Sequence, residues 1–247
     1  MSMRRMLFAT FLIPGARQYV ELVHPYRRFE SCGITRIGAS LYDGHGGELA
    51  SVTLPLTETV VDLATIFPQI AETALVLTDV AYRLKGKQHP YQYGLLYQAP
   101  PGATPIHYPL DIALGLTNAI NYYPNHGYFP LGPLPPWLRI RLYLGNVSEH
   151  RPIEPEVTLS TGGEKRSFTV HLPPLAHRLV DLPAQNGEPA DYLTVAGDAK
   201  PICYVAGLDS RSGALTFLEH LMQTYKPDAE VGGQGNVPEP ECVKREA

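Results

Sequence analysis

Hydrophobic and polar positions alternate along much of this chain, which is the pattern of a β-strand with one buried face. Segment 138–144 places leucine or isoleucine at every even position, and its odd positions begin with Arg139 and Arg141. Segment 167–172 alternates in the same way, which predicts that Phe168 faces inward. Further strands are predicted at residues 1–14, 33–42, 48–54, 59–63, 74–83, 91–98, 156–160, 177–181, 192–196 and 202–208.

Turns rich in glycine separate these segments, and few stretches favour a helix. Asp43–Gly47 and Thr161–Glu164 are predicted hairpin turns, because glycine adopts a positive φ at little steric cost. Residues 214–224 place Leu215 and Leu218 at helical spacing, which predicts a helix of about three turns.

A motif occurs twice in the chain, and its two copies predict an internal duplication. Thr53–Leu63 and His171–Leu182 both read as a strand, Leu-Pro, a polar corner and a strand that ends in Val-Asp-Leu. The copies lie about 118 residues apart, close to the length of a β-sandwich domain. We therefore expect an all-β protein of two tandem antiparallel β-sandwich domains, with Asp62 and Asp181 at equivalent positions.

The predicted division of the chain has four parts. Residues 1–110 form the first sandwich, 138–225 the second, 111–137 an aromatic and proline-rich connecting segment whose residues 120–137 form no regular element, and 226–247 a mobile tail. The connecting segment is rich in proline, so its aromatic rings can be held in place before a ligand arrives. Such rings suit sugar stacking, protein contacts or a seam between packed domains. The candidate binding residues are Tyr122, Tyr123, His126, Tyr128, Phe129 and Trp137.

Five stretches of the second half carry a resemblance to a known family: Leu142–Asn146, Phe168–Pro173, Leu179–Leu182, Lys200–Tyr204 and Leu208–Arg211. Together they resemble the sensory rhodopsin transducer family of small β-sandwich proteins. The resemblance implies a non-enzymatic, oligomeric protein that binds or transduces. Members of that family have one domain, so the tandem arrangement departs from their pattern.

Charge and composition disfavour several classes of partner. The chain of 247 residues has 20 Lys+Arg against 24 Asp+Glu, a net charge of −4 that disfavours a nucleic-acid partner. No run of 18 apolar residues occurs, so no membrane span is expected. Only 18% of residues are charged and 15 are tyrosine, which favours self-association into a homo-oligomer.

Targeting and metal or thiol chemistry give weaker signals. Residues 1–14 are typical of a first strand more than of a secretory signal, so a cytoplasmic location is expected, with a secreted or periplasmic one left open. Cys32 and Cys203 either pair as a disulfide or are small buried side chains. The candidate metal ligands, which are otherwise ordinary loop imidazoles, are His24, His107 and His126.

Known catalytic signatures are missing from the sequence, including G-x-S-x-G, H-E-x-x-H, the P-loop and G-x-G-x-x-G, and no cofactor is expected. The patterns favour a non-enzymatic binding protein for a small ligand, carbohydrate being one candidate, or for a protein partner. One alternative is an enzyme with its site at the inter-domain seam, where buried ionisable side chains would surround a cleft. Another is a structural component whose sheet edges pair between chains.

Overall fold

The protein is almost entirely β-structure, as the alternation predicts. Among the described residues, the computed structural model contains eighteen strands and one short helix. No helix in this part of the chain has the length and apolar character that crossing a membrane requires. The structure describes residues 3–21, 32–54, 60–84, 95–99, 106–109, 111–113, 125–132, 134–182, 190–197, 199, 201–221 and 223–225.

The first half of the chain forms two antiparallel sheets. Its strands are β1 (Met3–Leu12), β2 (Arg17–Glu21), β3 (Cys32–Tyr42), β4 (Glu48–Leu54), β5 (Val60–Asp62), β6 (Ala74–Leu84), β7 (Leu95–Ala99), β8 (Ile106–Pro109) and β9 (Asp111–Ala113). The helix α1 (Leu63–Ile66) follows β5, and the Asp62 side chain caps it by accepting from Ala64 N. One sheet has the order β4-β3-β6-β1-β9 and the other the order β5-β2-β7-β8.

The second half also forms two antiparallel sheets. Its strands are β10 (Asn125–Gly132), β11 (Leu138–Gly145), β12 (Glu156–Thr161), β13 (Glu164–Thr169), β14 (His177–Asp181), β15 (Ala190–Gly197), β16 (Ile202–Asp209), β17 (Leu215–His220) and β18 (Gln223–Tyr225). These sheets have the orders β13-β12-β15-β10-β18 and β14-β11-β16-β17.

The two halves have the same strand order. If each of β1–β9 is replaced by the strand nine positions later, the two sheets of the first half become the two sheets of the second. Asp62 ends β5 and Asp181 ends β14, and these are the corresponding edge strands. The shared order favours an internal duplication, while the duplication itself and the superposition of Asp62 on Asp181 stay predictions.

Two hydrophobic clusters form the core, and the first of them extends across both halves. The second cluster lies inside the second half and includes Leu142 and Leu144 of β11. The first cluster surrounds β1, β3 and β6, but it also includes Tyr143 of β11 and Tyr204 of β16. Successive side chains of a strand face opposite sides of its sheet, so the sheet β14-β11-β16-β17 is covered on both faces. The two halves therefore pack against each other through this sheet.

The helix predicted at residues 214–224 is wrong, because these residues contribute to β17 and β18. The pairing of β16 with β17 has an irregularity between Gly207 and Leu208. Leu215 and Leu218 both reach the first cluster although they lie three residues apart. A bulge of this kind produces an apolar spacing that resembles a helix in the sequence.

The prediction that Phe168 faces inward is wrong. All six side chains of β13 are exposed, and Phe168 is 38% exposed. The reason lies in the sheet order, since β13 is an edge strand that pairs with β12. Val170 and Leu172, which follow β13, are buried as expected.

Two further expectations concern the connecting segment and the cysteines. Asp111–Ala113 forms β9 and Asn125–Gly132 forms β10, so the expectation that residues 120–137 form no regular element is wrong for 125–132. Cys203 is buried in the second cluster, as a small buried side chain would be, while the side chain of Cys32 in β3 is not described, so their pairing stays a prediction. The predicted mobile tail at 226–247 lies outside the described residues.

Candidate functional site

A cleft of about 840 Å³ lies between the two halves. The first half supplies residues that follow β1 and β3 and residues that precede β6, and the second supplies residues of β11, β14, β16 and β17. Its volume lies in the range of pockets that bind small molecules. We call it the inter-half cleft, and its defining residues are Ile13, Asp43, Glu72, Arg141, His177 and Leu215.

The hairpin turn between β3 and β4 docks on the second half and forms one wall of the cleft. Gly46 has a φ of +88°, and a Cβ atom built there would lie 2.1 Å from the carbonyl oxygen of Pro174. Arg178 Nη1 donates a hydrogen bond to the carbonyl oxygen of Gly44 in the same turn. The close approach of the two halves therefore requires glycine at position 46.

Asp43 organises this turn with its carboxylate. Asp43 Oδ1 accepts hydrogen bonds from the backbone N–H of His45 at 2.7 Å and of Gly47 at 2.9 Å. The bond from Gly47, followed by that from His45, lowers the pKa of the Asp43 carboxyl below its ordinary value. Asp43 is therefore a fixed negative charge at the cleft at neutral pH.

His177 is a buried imidazole where the two halves meet. The residue is 5% exposed, and its Nδ1 atom is buried without a hydrogen-bond partner. The ring meets Phe11 of β1 edge to face, with the ring centroids 6.1 Å apart. Burial lowers the pKa of His177, although the carbonyl groups of Asp43 and Thr73 favour the charged form. His177 is therefore neutral at neutral pH.

Arg141 contributes a positive charge to the cleft, but Asp181 neutralises it. Arg141 Nε donates to Asp181 Oδ1 at 2.6 Å, and Arg141 Nη2 donates to Asp181 Oδ2 at 2.9 Å. This two-bonded pair raises the pKa of Arg141 and lowers the pKa of Asp181. Tyr143, two residues along β11, is 2% exposed, and burial raises its pKa. The Arg141 charge that β11 contributes to the cleft is thus engaged with a neighbouring protein group.

The remaining lining of the cleft is largely apolar. Leu49 and Leu179 are 49% and 40% exposed, and they belong to opposite halves. Leu208 and Leu215 are buried members of the first cluster that also line the cleft. Exposed apolar side chains around a cavity are typical of surfaces that contact a ligand or partner. The inter-half cleft thus offers an apolar surface beside charged groups.

Of the six predicted binding residues, the structure describes the side chains of Phe129 and Trp137. Tyr122 and Tyr123 fall outside the described residues, and the side chains of His126 and Tyr128 in β10 are not described. Phe129 is half-buried and stacks on Phe217, with centroids 6.4 Å apart and planes at 9°. Trp137 is 42% exposed in the turn before β11. Neither ring lines the inter-half cleft, so the set stays a prediction for a separate site.

The candidate metal ligands also stay a prediction. His24 lies outside the described residues, and the structure does not describe the side chains of His107 in β8 or His126 in β10. Within the part of the chain that is described, no three His, Cys, Asp or Glu side chains come together as a metal site would need.

Sequence reasoning missed the residues that line the cleft. His177 and Asp43 occur in an ordinary strand and an ordinary turn, and nothing near them in sequence marks a site. One usable signal was the continuous apolar run at Ile202–Leu208, since such a run indicates a strand buried on both faces. From this run, packing on both faces of the sheet that contains β16 could have been predicted.

Comparison with protein-family models and with curated proteins gave no match. The resemblance of the second half to sensory rhodopsin transducers therefore stays an expectation from the sequence.

Proposed function

We propose that this protein binds a small ligand in the inter-half cleft, and that the ligand has an apolar body and a polar group. The observation that carries the proposal is the composition of the cleft. Exposed Leu49 and Leu179 face a cavity that also contains the charged groups of Asp43 and Glu72. Binding of apolar surface in such a cavity is favourable by about 25 cal/mol per Å² removed from water.

The cleft favours binding over chemistry. Tyr143 and His177 are buried, and Arg141 is held by Asp181, so these groups serve contacts within the protein. Ser212 lines the cleft in an exposed turn, where its side chain accepts from Ala214 N and bonds the carboxylate of Asp209, which does not line the cleft. A nucleophile needs an adjacent base to be activated, and the described lining does not supply such a pair.

Carbohydrate is not the ligand class that this cleft favours. Apart from its imidazoles, the aromatic ring in the described lining is Tyr143, which is 2% exposed and offers no face for stacking. Sugar binding would depend instead on the aromatic residues of segment 122–137. An apolar molecule with a polar head group is the better fit to the leucine-rich walls.

An enzyme is the second candidate, because ionisable side chains do converge on the cleft. Asp43, Arg141, Tyr143 and His177 all line it, which is the arrangement that an active site would show. In that case His177 would be the general base. Mass spectrometry of the ligand after incubation with the protein separates the two candidates: binding leaves its mass unchanged, and catalysis yields a product.

Substitution of one rim residue tests the proposed site. The neutral fluorescent probe N-phenyl-1-naphthylamine should bind the wild-type chain and brighten in the cleft. The Leu179→Asp variant should bind it at least tenfold more weakly, which corresponds to about 1.4 kcal/mol.

Phe168→Asp is the matched control, since Phe168 is equally exposed but lies on the edge strand β13 outside the cleft. Equal binding by all three proteins would place the probe elsewhere and contradict the proposal.

A further inference from the structure

We propose that the ligand of the inter-half cleft is an amphipathic cation, a primary amine on a short apolar body, with its ammonium group beside Asp43 and Glu72. This inference rests on the proposed function, because it specifies the chemical class of ligand for the same site. Its basis is the balance of charges and of hydrogen-bonding groups around the cleft.

Asp43 and Glu72 are the charged side chains of the described lining that no described ion pair neutralises, and both are negative. Asp43 is ionised, and Glu72 is an exposed carboxylate in the same wall. The positive charge of Arg141 is already matched by Asp181 through two hydrogen bonds. Within the described lining there is no lysine. A ligand carboxylate or phosphate would therefore meet repulsion, and an ammonium group would meet attraction.

Arg178 is the charge that opposes this argument, and its position limits its effect. It does not line the cleft, and its guanidinium donates to the carbonyl oxygens of Gly44 and His177. Its guanidinium is therefore engaged by backbone carbonyl groups of the hairpin turn and of β14. Among the Asp, Glu, Lys and Arg residues of the described lining, Asp43 and Glu72 remain once Arg141 is matched by Asp181.

The polar groups of this wall mostly accept hydrogen bonds. The carboxylates of Asp43 and Glu72 only accept when ionised. A primary ammonium group has three donors and no acceptor, so it complements such a wall. An alcohol offers this wall one hydrogen-bond donor, and a carboxylate offers none.

The rest of the cleft is suited to the apolar body of the amine. Ile13 and Leu215 are buried at 5% and 8% exposure, and Leu179 from the second half is 40% exposed. These side chains lie in the same cavity as the acceptor wall. A ligand with one charged end and an apolar end would bury the second against leucine and isoleucine.

Three probes with the same ring and similar chain length test the charge preference: 2-phenylethylamine, 2-phenylethanol and 3-phenylpropanoate. Isothermal titration of the full chain at pH 7.5 should show the amine binding about tenfold more tightly than the alcohol, with the propanoate weakest. Asp43→Asn and Glu72→Gln should each weaken the amine about threefold to tenfold and leave the alcohol within about twofold.

The variants are chosen so that folding is preserved. Asparagine at position 43 keeps the Oδ1 acceptor that the turn uses, and Glu72 is exposed. Glu164→Gln on β13 is the matched control, because it removes a negative charge from an exposed residue outside the cleft. It should leave the affinity for the amine unchanged.

The outcomes separate this inference from the proposed function. If the alcohol or the propanoate binds as tightly as the amine, the cleft binds ligands but the cation preference is wrong. If all three variants weaken the amine equally, the preference reflects the net charge of the protein and the inference also fails. If none of the three probes binds, the proposed function itself is contradicted.

Discussion

At the scale of single residues, His177 shows how the two halves set the chemistry of one side chain. Phe11 from β1 covers its ring, and the carbonyl groups of Asp43 and Thr73 lie beside it, so three segments of the first half surround a residue of the second. The result is a neutral imidazole with a lowered pKa and an unpartnered Nδ1. Protonation of His177 would place a positive charge in this buried contact, which burial disfavours.

The stability of the protein should therefore fall as His177 becomes protonated. Its pKa in the folded state lies below the ordinary value of 6.5, so the unfolded state binds more protons in the window between them. The free energy of unfolding is then highest above about pH 6.5 and decreases as the pH falls below it. Urea denaturation at intervals from pH 5 to pH 8 measures this slope.

A variant pair shows whether His177 is the group responsible. His177→Gln should flatten the pH dependence of the unfolding free energy between pH 5 and 7. His171→Gln should keep the wild-type slope, because the side chain of His171 is 60% exposed. An unchanged slope in His177→Gln would contradict the assignment.

At the scale of elements, the sequence predicted the strands better than it predicted their packing. The alternation of segment 138–144 predicted strand β11 and its buried face of Ile140, Leu142 and Leu144, because that requirement is local, but it did not predict that Tyr143 on the opposite face is also buried. The helix predicted at 214–224 failed because a bulge in the pairing with β16 produced a false helical spacing. The cleft could not be predicted, since it depends on contacts such as Gly46 with Pro174, which lie far apart in the chain.

The docked hairpin between β3 and β4 gives a prediction at this scale. Gly46→Ala should destabilise the protein by about 2–4 kcal/mol, because the added Cβ would lie 2.1 Å from Pro174 O. Gly163→Ala is the matched control: its φ of +84° is close to the +88° of Gly46, and its Cβ would meet nothing within 4 Å. The control should cost only the backbone strain of about 1–2 kcal/mol.

Chemical denaturation of the two variants measures the difference. The expected result is a lower midpoint for Gly46→Ala than for Gly163→Ala with similar slopes. Equal stability of the two variants would mean that the hairpin does not dock on the Pro174 segment.

At the scale of the whole molecule, the first hydrophobic cluster joins the two halves into one packed unit. Tyr143, Tyr204 and Leu218 of the second half share this cluster with Phe11 and Leu75 of the first. Part of the apolar, weakly charged surface from which the sequence predicted a homo-oligomer is thus buried within one chain. The oligomeric state stays a prediction that light scattering can check.

Shared burial of this kind predicts that the halves unfold together. Calorimetry should show one transition, with the calorimetric enthalpy equal to the van't Hoff enthalpy. Tyr204→Ala should lower the midpoint of that single transition, because it removes a large ring that is 1% exposed between the halves. Two separate transitions in the wild-type chain would mean that each half is stable without the other.

The central claim is that a small ligand binds between the halves, and methyl NMR of the full chain with 2-phenylethanol tests it most directly. The account predicts that the methyl signals of Ile13, Leu49, Leu179 and Leu215 shift together on titration, since these residues line one cavity from both halves. The signals of Leu159 and Leu193, buried inside the second half, should stay in place. Shifts confined to residues 125–137, or no shifts at all, would contradict it.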